Sequence, residues 1–237
     1  MYIREYFGNV PGQLKCFGDL NPLFEYADAL MLTRGMLRSC VSPDFDIPVV
    51  LRVSAGASML KELSNEDINV TIEDAIRLNV SAITCSIFVG GEFEKNSLMN
   101  LSKLVNWGQE YGIPTLAVTA VGREMVRDDR YLGMASRMAA EMGATFVKTY
   151  YCDNFENVTS ICPVPVVIAG GKKIEEKDAL QMARDAIDKG AVGVDMGRNI
   201  FQSDKPIGMI KAVRAIVHEN ASVDEAYDIY KNGPVGL

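Results

Sequence analysis

From residue 28 onward, short unbroken apolar runs alternate with longer stretches whose apolar positions recur every three or four residues. An apolar run without polar alternation reads as a strand buried on both faces; the three-to-four spacing reads as a helix with one packed face. On that basis strands are predicted over 29–33, 48–53, 82–88, 115–119, 143–151, 165–169 and 193–196. Helices are predicted over 20–27, 71–78, 94–111, 129–142, 154–160, 175–189, 206–219 and 222–230. Thr71-Ile72-Glu73-Asp74 and Ser222-Val223-Asp224-Glu225 resemble capping boxes, and residues 55–70 read as an irregular insert.

Strict alternation of strand and helix, with strands apolar on both faces, predicts a parallel sheet covered by helices. An open dinucleotide-binding sheet would carry G-x-G-x-x-G after its first strand, and none is present. The glycine-bearing segments instead follow the last two strands, where barrels build phosphate sites. The expectation is a single α/β domain over 1–237, a (β/α)8 TIM barrel. Seven strands are counted, and only residues 1–7 stand before the helix at 20–27 to supply an eighth. The first strand is therefore expected to be short, altered or missing. Either 1–7 form a stunted strand or the chain has lost its beginning, since an open barrel exposes two sheet edges.

The composition is that of a globular domain: 48% hydrophobic and 23% charged over 237 residues. A net charge of −7 argues against nucleic-acid and anionic-membrane surfaces, which need a basic face. The five cysteines are scattered, no C-x-x-C pair exists and there is one histidine, so no metal site is expected. Without a signal-like start or a long apolar run, the expected location is the cytoplasm.

The chemistry centres on Lys148, an amine in the run Gly143-Ala144-Thr145-Phe146-Val147-Lys148-Thr149-Tyr150-Tyr151. A lysine is nucleophilic only when neutral, and a barrel mouth supplies the burial that favours that state. The plain alternative is a lysine reaching solvent at a strand end. Ala169-Gly170-Gly171-Lys172 and Gly197-Arg198-Asn199 close the next two strands. Glycine admits an anion close to the backbone, and Arg198 adds a charge; ordinary strand-exit turns are the alternative. Arg34 and Arg52, near strand ends, and Tyr150 are further candidates for substrate contact, or for structural roles. Asp195 is a candidate for an interior pair, Asp128-Asp129 reads as a helix cap, and His218 as a surface residue.

Phe146-Val147-Lys148-Thr149-Tyr150-Tyr151, the stretch 163–173 and the stretch 193–204 together resemble the class I aldolase family that includes archaeal-type fructose-bisphosphate aldolase. Thr33-Arg34-Gly35, Glu62-Leu63-Ser64-Asn65-Glu66 and Ala117-Val118-Thr119 extend the likeness, which runs from about residue 21 to the C-terminus. The resemblance implies a barrel in a homo-oligomer, with Lys148 forming a Schiff base. It also implies a phosphate site built from the two glycine loops, a phosphorylated carbonyl substrate and no bound cofactor or metal. Acetyl transfer to coenzyme A, a co-substrate, is the implied reaction. Aldol cleavage of a phosphorylated sugar such as fructose-bisphosphate, or ligand binding without turnover, are the alternatives. Family members end their first strand in Asp-His-Gly, where Ile3, Arg4 and Glu5 fall here. Loss of that acid/base group should harm an aldolase more than a thiol-driven cleavage, because the thiol ionises in solvent.

Overall fold

The computed structural model describes residues 20–56, 64–120 and 126–237. In chain order the elements begin with α1 (Asn21–Phe24), β1 (Leu30–Thr33), α2 (Arg34–Cys40), β2 (Val49–Arg52), β3 (Ser54–Ala55), β4 (Asp67–Ile68) and α3 (Ile72–Arg77). They continue with β5 (Ala82–Ile87), α4 (Glu94–Tyr111), β6 (Thr115–Thr119), α5 (Asp129–Glu141), β7 (Phe146–Tyr150) and α6 (Phe155–Ile161). The last are β8 (Val166–Ala169), α7 (Glu176–Asp188), β9 (Gly193–Asp195), α8 (Arg198–Phe201), α9 (Pro206–Glu219) and α10 (Val223–Lys231).

All seven predicted strands form and pair in parallel in the order β1-β2-β5-β6-β7-β8-β9. Each strand lies beside the next in the chain, as helical crossovers of one hand require. The result is a curled parallel sheet wrapped by helices, seven strands of a (β/α)8 barrel. Residues 1–7, the expected first strand, lie outside the described residues, as do Ile3, Arg4 and Glu5.

Period-two alternation sorts the strand residues into two shells. Leu30, Leu32, Leu51, Ile83, Cys85, Ile87, Ala117, Val147 and Ile168 face the helices and belong to one continuous core with Leu101, Leu104, Leu132, Phe155 and Leu180. Met31, Val50, Leu116, Phe146 and Val167 face inward and line a cavity of about 360 Å³ that reaches Asp195. The strand runs look largely apolar because most positions of both shells are, with polar exceptions on the inner face such as Arg52, Thr84, Ser86 and Lys148.

Local details follow their sequences. Asp128 caps α5 by accepting from the Tyr131 amide at 2.8 Å. Ser222 and Glu225 make the full capping box of α10. At α3 only half the expected box forms. Thr71 accepts from the Asp74 amide at 3.3 Å, while the Asp74 carboxylate turns to arginines instead. Two elements depart from prediction. At and within the stretch expected to be an irregular insert, β3 and β4 pair antiparallel. Helix α2 forms without any buried residue. No helix among the described residues is long and apolar enough to cross a membrane.

Candidate active site

Lys148 occupies the middle of β7, on the face shared with the cavity-lining Phe146. Val147 and Thr149, on the other face, are completely buried, so the register of β7 drives Lys148 into the barrel. Its side chain is only 5% exposed, and its Nζ lies 2.7 Å from Oδ2 of Asp195 on β9. The ladder links β7, β8 and β9 through Tyr150, Ala169 and Asp195, which places the carboxylate two residues above the lysine. Burial pushes the Asp195 carboxyl up, but positive charge beside it, Lys148 foremost, prevails and holds it down at about 2. A permanent anion thus stands against the amine, suited to stabilising positive charge that develops on that nitrogen.

The two glycine loops sit at the C-terminal ends of β8 and β9, directly beside this pair. A Cβ on Gly170 would fall 2.9 Å from Met196 Cγ and 3.1 Å from its Cα, so only glycine lets the two loops touch. Gly171 has φ +66° and open space where a Cβ would lie. Asn199, 1% exposed, stitches the loops together. Its Nδ2 donates to the Gly170 carbonyl at 2.6 Å and to that of Lys172 at 3.3 Å; its Oδ1 accepts from the Ile174 amide at 2.9 Å. The Asn199 side chain therefore shapes the loop. Lys172 is exposed and Arg198 half-buried at the start of α8, both beside the loop surface.

Arg52 ends β2 and also faces inward, three strands from Lys148. It is 3% exposed and ion-paired with Glu66, 1% exposed. Its Nε donates to the Ser54 carbonyl at 3.1 Å and its Nη2 to Ser86 Oγ at 2.8 Å, while Ser54 Oγ donates to Glu66 at 3.0 Å. Asn96 and Asn100 of α4 donate to the Glu66 carbonyl at 2.8 and 3.1 Å. The β3–β4 ribbon is what carries Glu66 to the arginine. Arg34, by contrast, stands at the rim, bonded to Asp74 at 2.9 Å together with Arg38 and Arg77. Arg34 heads the charges that hold the Asp74 carboxyl below its usual range. Tyr150 is half-buried under the Arg127 guanidinium, 3.9 Å from its ring centroid.

Lys148, Asp195, Arg52 and the glycine loops thus share the inner face and C-terminal end of one barrel; Arg34 lies apart. Sequence reading gave no role to Glu66, quoted only as part of the family likeness, and passed over Ser86 and Thr84. The polar positions alternating with apolar ones in Ala82-Ile83-Thr84-Cys85-Ser86-Ile87 signal an inward polar face. Glu66 has no local signal, because its partner is 14 residues away. Among the described residues, no group of three His, Cys, Asp or Glu side chains could hold a metal ion.

A curled parallel barrel with a buried lysine on one strand and glycine loops on the next two is the architecture of lysine-dependent aldolases. The family model for DeoC/LacD family aldolases matches residues 20–203, and the chain belongs to that family. It is 56% identical over 215 residues to the 3-hydroxy-5-phosphonooxypentane-2,4-dione thiolase of Photorhabdus laumondii, a match covering 90% of this chain and 74% of that protein. It is 57% identical over 210 residues to an uncharacterized aldolase of Pasteurella multocida, covering 88% of this chain and 72% of that one. The crystal structure of an archaeal fructose 1,6-bisphosphate aldolase superposes with a TM-score of 0.77 at 22% identity, covering 85% of this chain and 88% of that one. That likeness establishes the barrel fold.

Proposed function

We propose that the chain is a Schiff-base thiolase that transfers the acetyl group of 3-hydroxy-5-phosphonooxypentane-2,4-dione to coenzyme A, leaving dihydroxyacetone phosphate. The observation that carries this reading is the buried Lys148–Asp195 pair, at 2.7 Å, flanked by the glycine loops of β8 and β9. The relatives' names supply the substrate.

The phosphate rests on the backbone of Ala169, Gly170 and Gly171 and of Gly197 and Arg198, with Lys172 adding charge and Asn199 fixing the loop. That anchorage sets the adjacent ketone over Lys148, converting a bimolecular encounter into an oriented one. The amine adds to the ketone, water leaves, and the cationic imine forms beside the Asp195 carboxylate. A thiolate from coenzyme A then attacks the far carbonyl. The carbon–carbon bond breaks, its electron pair flows into the imine to give an enamine, and acetyl-coenzyme A departs. Protonation of the enamine carbon and hydrolysis release dihydroxyacetone phosphate and the free lysine. No hydroxyl proton need be removed, in contrast to retro-aldol cleavage.

The test is borohydride reduction in the presence of dihydroxyacetone phosphate, read by intact mass and peptide mapping. A stable adduct on Lys148, absent from Lys148→Ala, supports the reading; an adduct elsewhere, or none on the folded protein, removes it. Acetyl-coenzyme A formation faster than fructose-bisphosphate cleavage separates thiolase from aldolase.

A further inference from the structure

The wall of the barrel facing Lys148 carries polar atoms that imine formation does not use. Ser86 lies in line with Lys148 across the sheet, through the register pairs Ser86–Val118 and Val118–Lys148. Two strand spacings separate their α-carbons by roughly 10 Å, with both side chains directed inward. Arg52 donates to the Ser86 hydroxyl at 2.8 Å and is locked by Glu66, so its guanidinium is held in one plane. Thr84, the register partner of Arg52, is completely buried. Its Oγ1 has no hydrogen-bond partner among the described residues.

These features are expensive to keep for folding alone. A buried ion pair is matched or bettered in stability by apolar side chains of the same volume. A buried hydroxyl left unbonded is destabilising, because it gives up its bonds to water for nothing. Both sit on the inner face, where an acceptor oxygen of a ligand is the group that would satisfy the hydroxyl.

We propose that Arg52, Ser86 and Thr84 form an oxyanion-holding wall that binds the acyl carbonyl oxygen of the substrate, opposite the carbonyl that condenses with Lys148. The proposal rests on the reading of Lys148 as the imine-forming residue and deepens it. The site is then matched to a 1,3-dicarbonyl phosphate, one carbonyl at the lysine and one at this wall. When the thiolate attacks, a carbon–sulfur bond forms and the carbonyl π pair moves onto oxygen. Ser86 and Thr84 donate their hydroxyl hydrogens to that alkoxide, and Arg52, which donates to the Ser86 oxygen, polarises that hydroxyl. As the carbonyl re-forms, the carbon–carbon bond breaks and its pair enters the imine. Glu66 is a positioning residue that acts through Arg52.

The test compares Ser86→Ala and Arg52→Lys with the unaltered protein in two assays. The first is borohydride trapping with dihydroxyacetone phosphate, which has no acyl oxygen. The second is acetyl transfer to coenzyme A. Loss of one oxyanion donor should lower kcat by about 10²–10³-fold while trapping on Lys148 continues. Glu66→Gln should lower kcat and leave KM for the phosphorylated dicarbonyl unchanged. Transfer within about threefold of the unaltered rate in both variants overturns the proposal. So does parallel loss of trapping and transfer in Ser86→Ala, which would make the wall merely structural. Failure of trapping in the unaltered protein removes the lysine reading itself and this proposal with it.

Discussion

Replacing Asp195 by Asn keeps the shape of the side chain and removes the anion 2.7 Å from Lys148. The carboxyl is held at about 2 against an ordinary 3.8. That displacement corresponds to about 2 kcal/mol of native-state stabilisation at neutral pH. The sign follows from the depressed value. The contribution is fully present above the unfolded carboxyl's range and is lost as pH falls toward the folded one. By linkage about half of it survives at pH 3 and only a few tenths of a kcal/mol at pH 2. Urea unfolding of the natural protein and Asp195→Asn, followed by circular dichroism from pH 7 to 2.5, measures this directly. Other acidic groups titrate in both proteins and cancel in the difference. The stability gap should narrow by about two thirds of that contribution across that span, mostly below pH 4. A gap that stays constant from pH 7 to 2.5 would refute the assignment of Asp195 as a permanently ionised partner of the lysine.

Three further outcomes test the site's architecture. Asn199→Ala, which leaves the Ile174 amide and two loop carbonyls without their partner, should cost about 1–3 kcal/mol in denaturant titration and raise KM for the phosphorylated substrate more than it lowers kcat. Gly170→Ala places a methyl 2.9 Å from Met196 Cγ and should lower stability by about 1–3 kcal/mol, with weakened competition by inorganic phosphate. Arg34→Ala breaks a rim contact in which Asp74 retains Arg38 and Arg77, so stability should change by less than about 1 kcal/mol; a large loss of acetyl transfer would return Arg34 to the site.

The seven strands of the parallel sheet were legible because both of their faces are largely apolar, and each lies within its predicted run. Helix α2 was not, for a physical reason: it is seven residues long and only Met36, Leu37 and Cys40 pack, half-buried, against the core, too short a trace to show a period. Arg34 and Arg38 tie it further to Asp74, 40 and 36 residues away. Lys148 stood out as an amine inside an apolar run, and the glycine loops by their place after the last strands. The possible interior pairing of Asp195 is realised with Lys148 across 47 residues, a partnership no local pattern encodes. The Arg52–Glu66 pair depends on the β3–β4 ribbon folding back, and two-residue strands fall below any periodicity signal.

The alternation in β7 has a consequence for how this chain tolerates change. Lys148 lies between Val147 and Thr149, both wholly enclosed against the helices. A deletion or insertion of one residue before it would trade faces along the whole strand, driving an ammonium into the packed shell and an isopropyl group into the mouth. Reactivity and foldedness would fail in the same event. For this segment strand length, more than side-chain identity, is the quantity that variation must preserve. Indel scanning across 143–151 should therefore yield almost no soluble protein that is folded but chemically silent, whereas substitution at Lys148 should yield it readily.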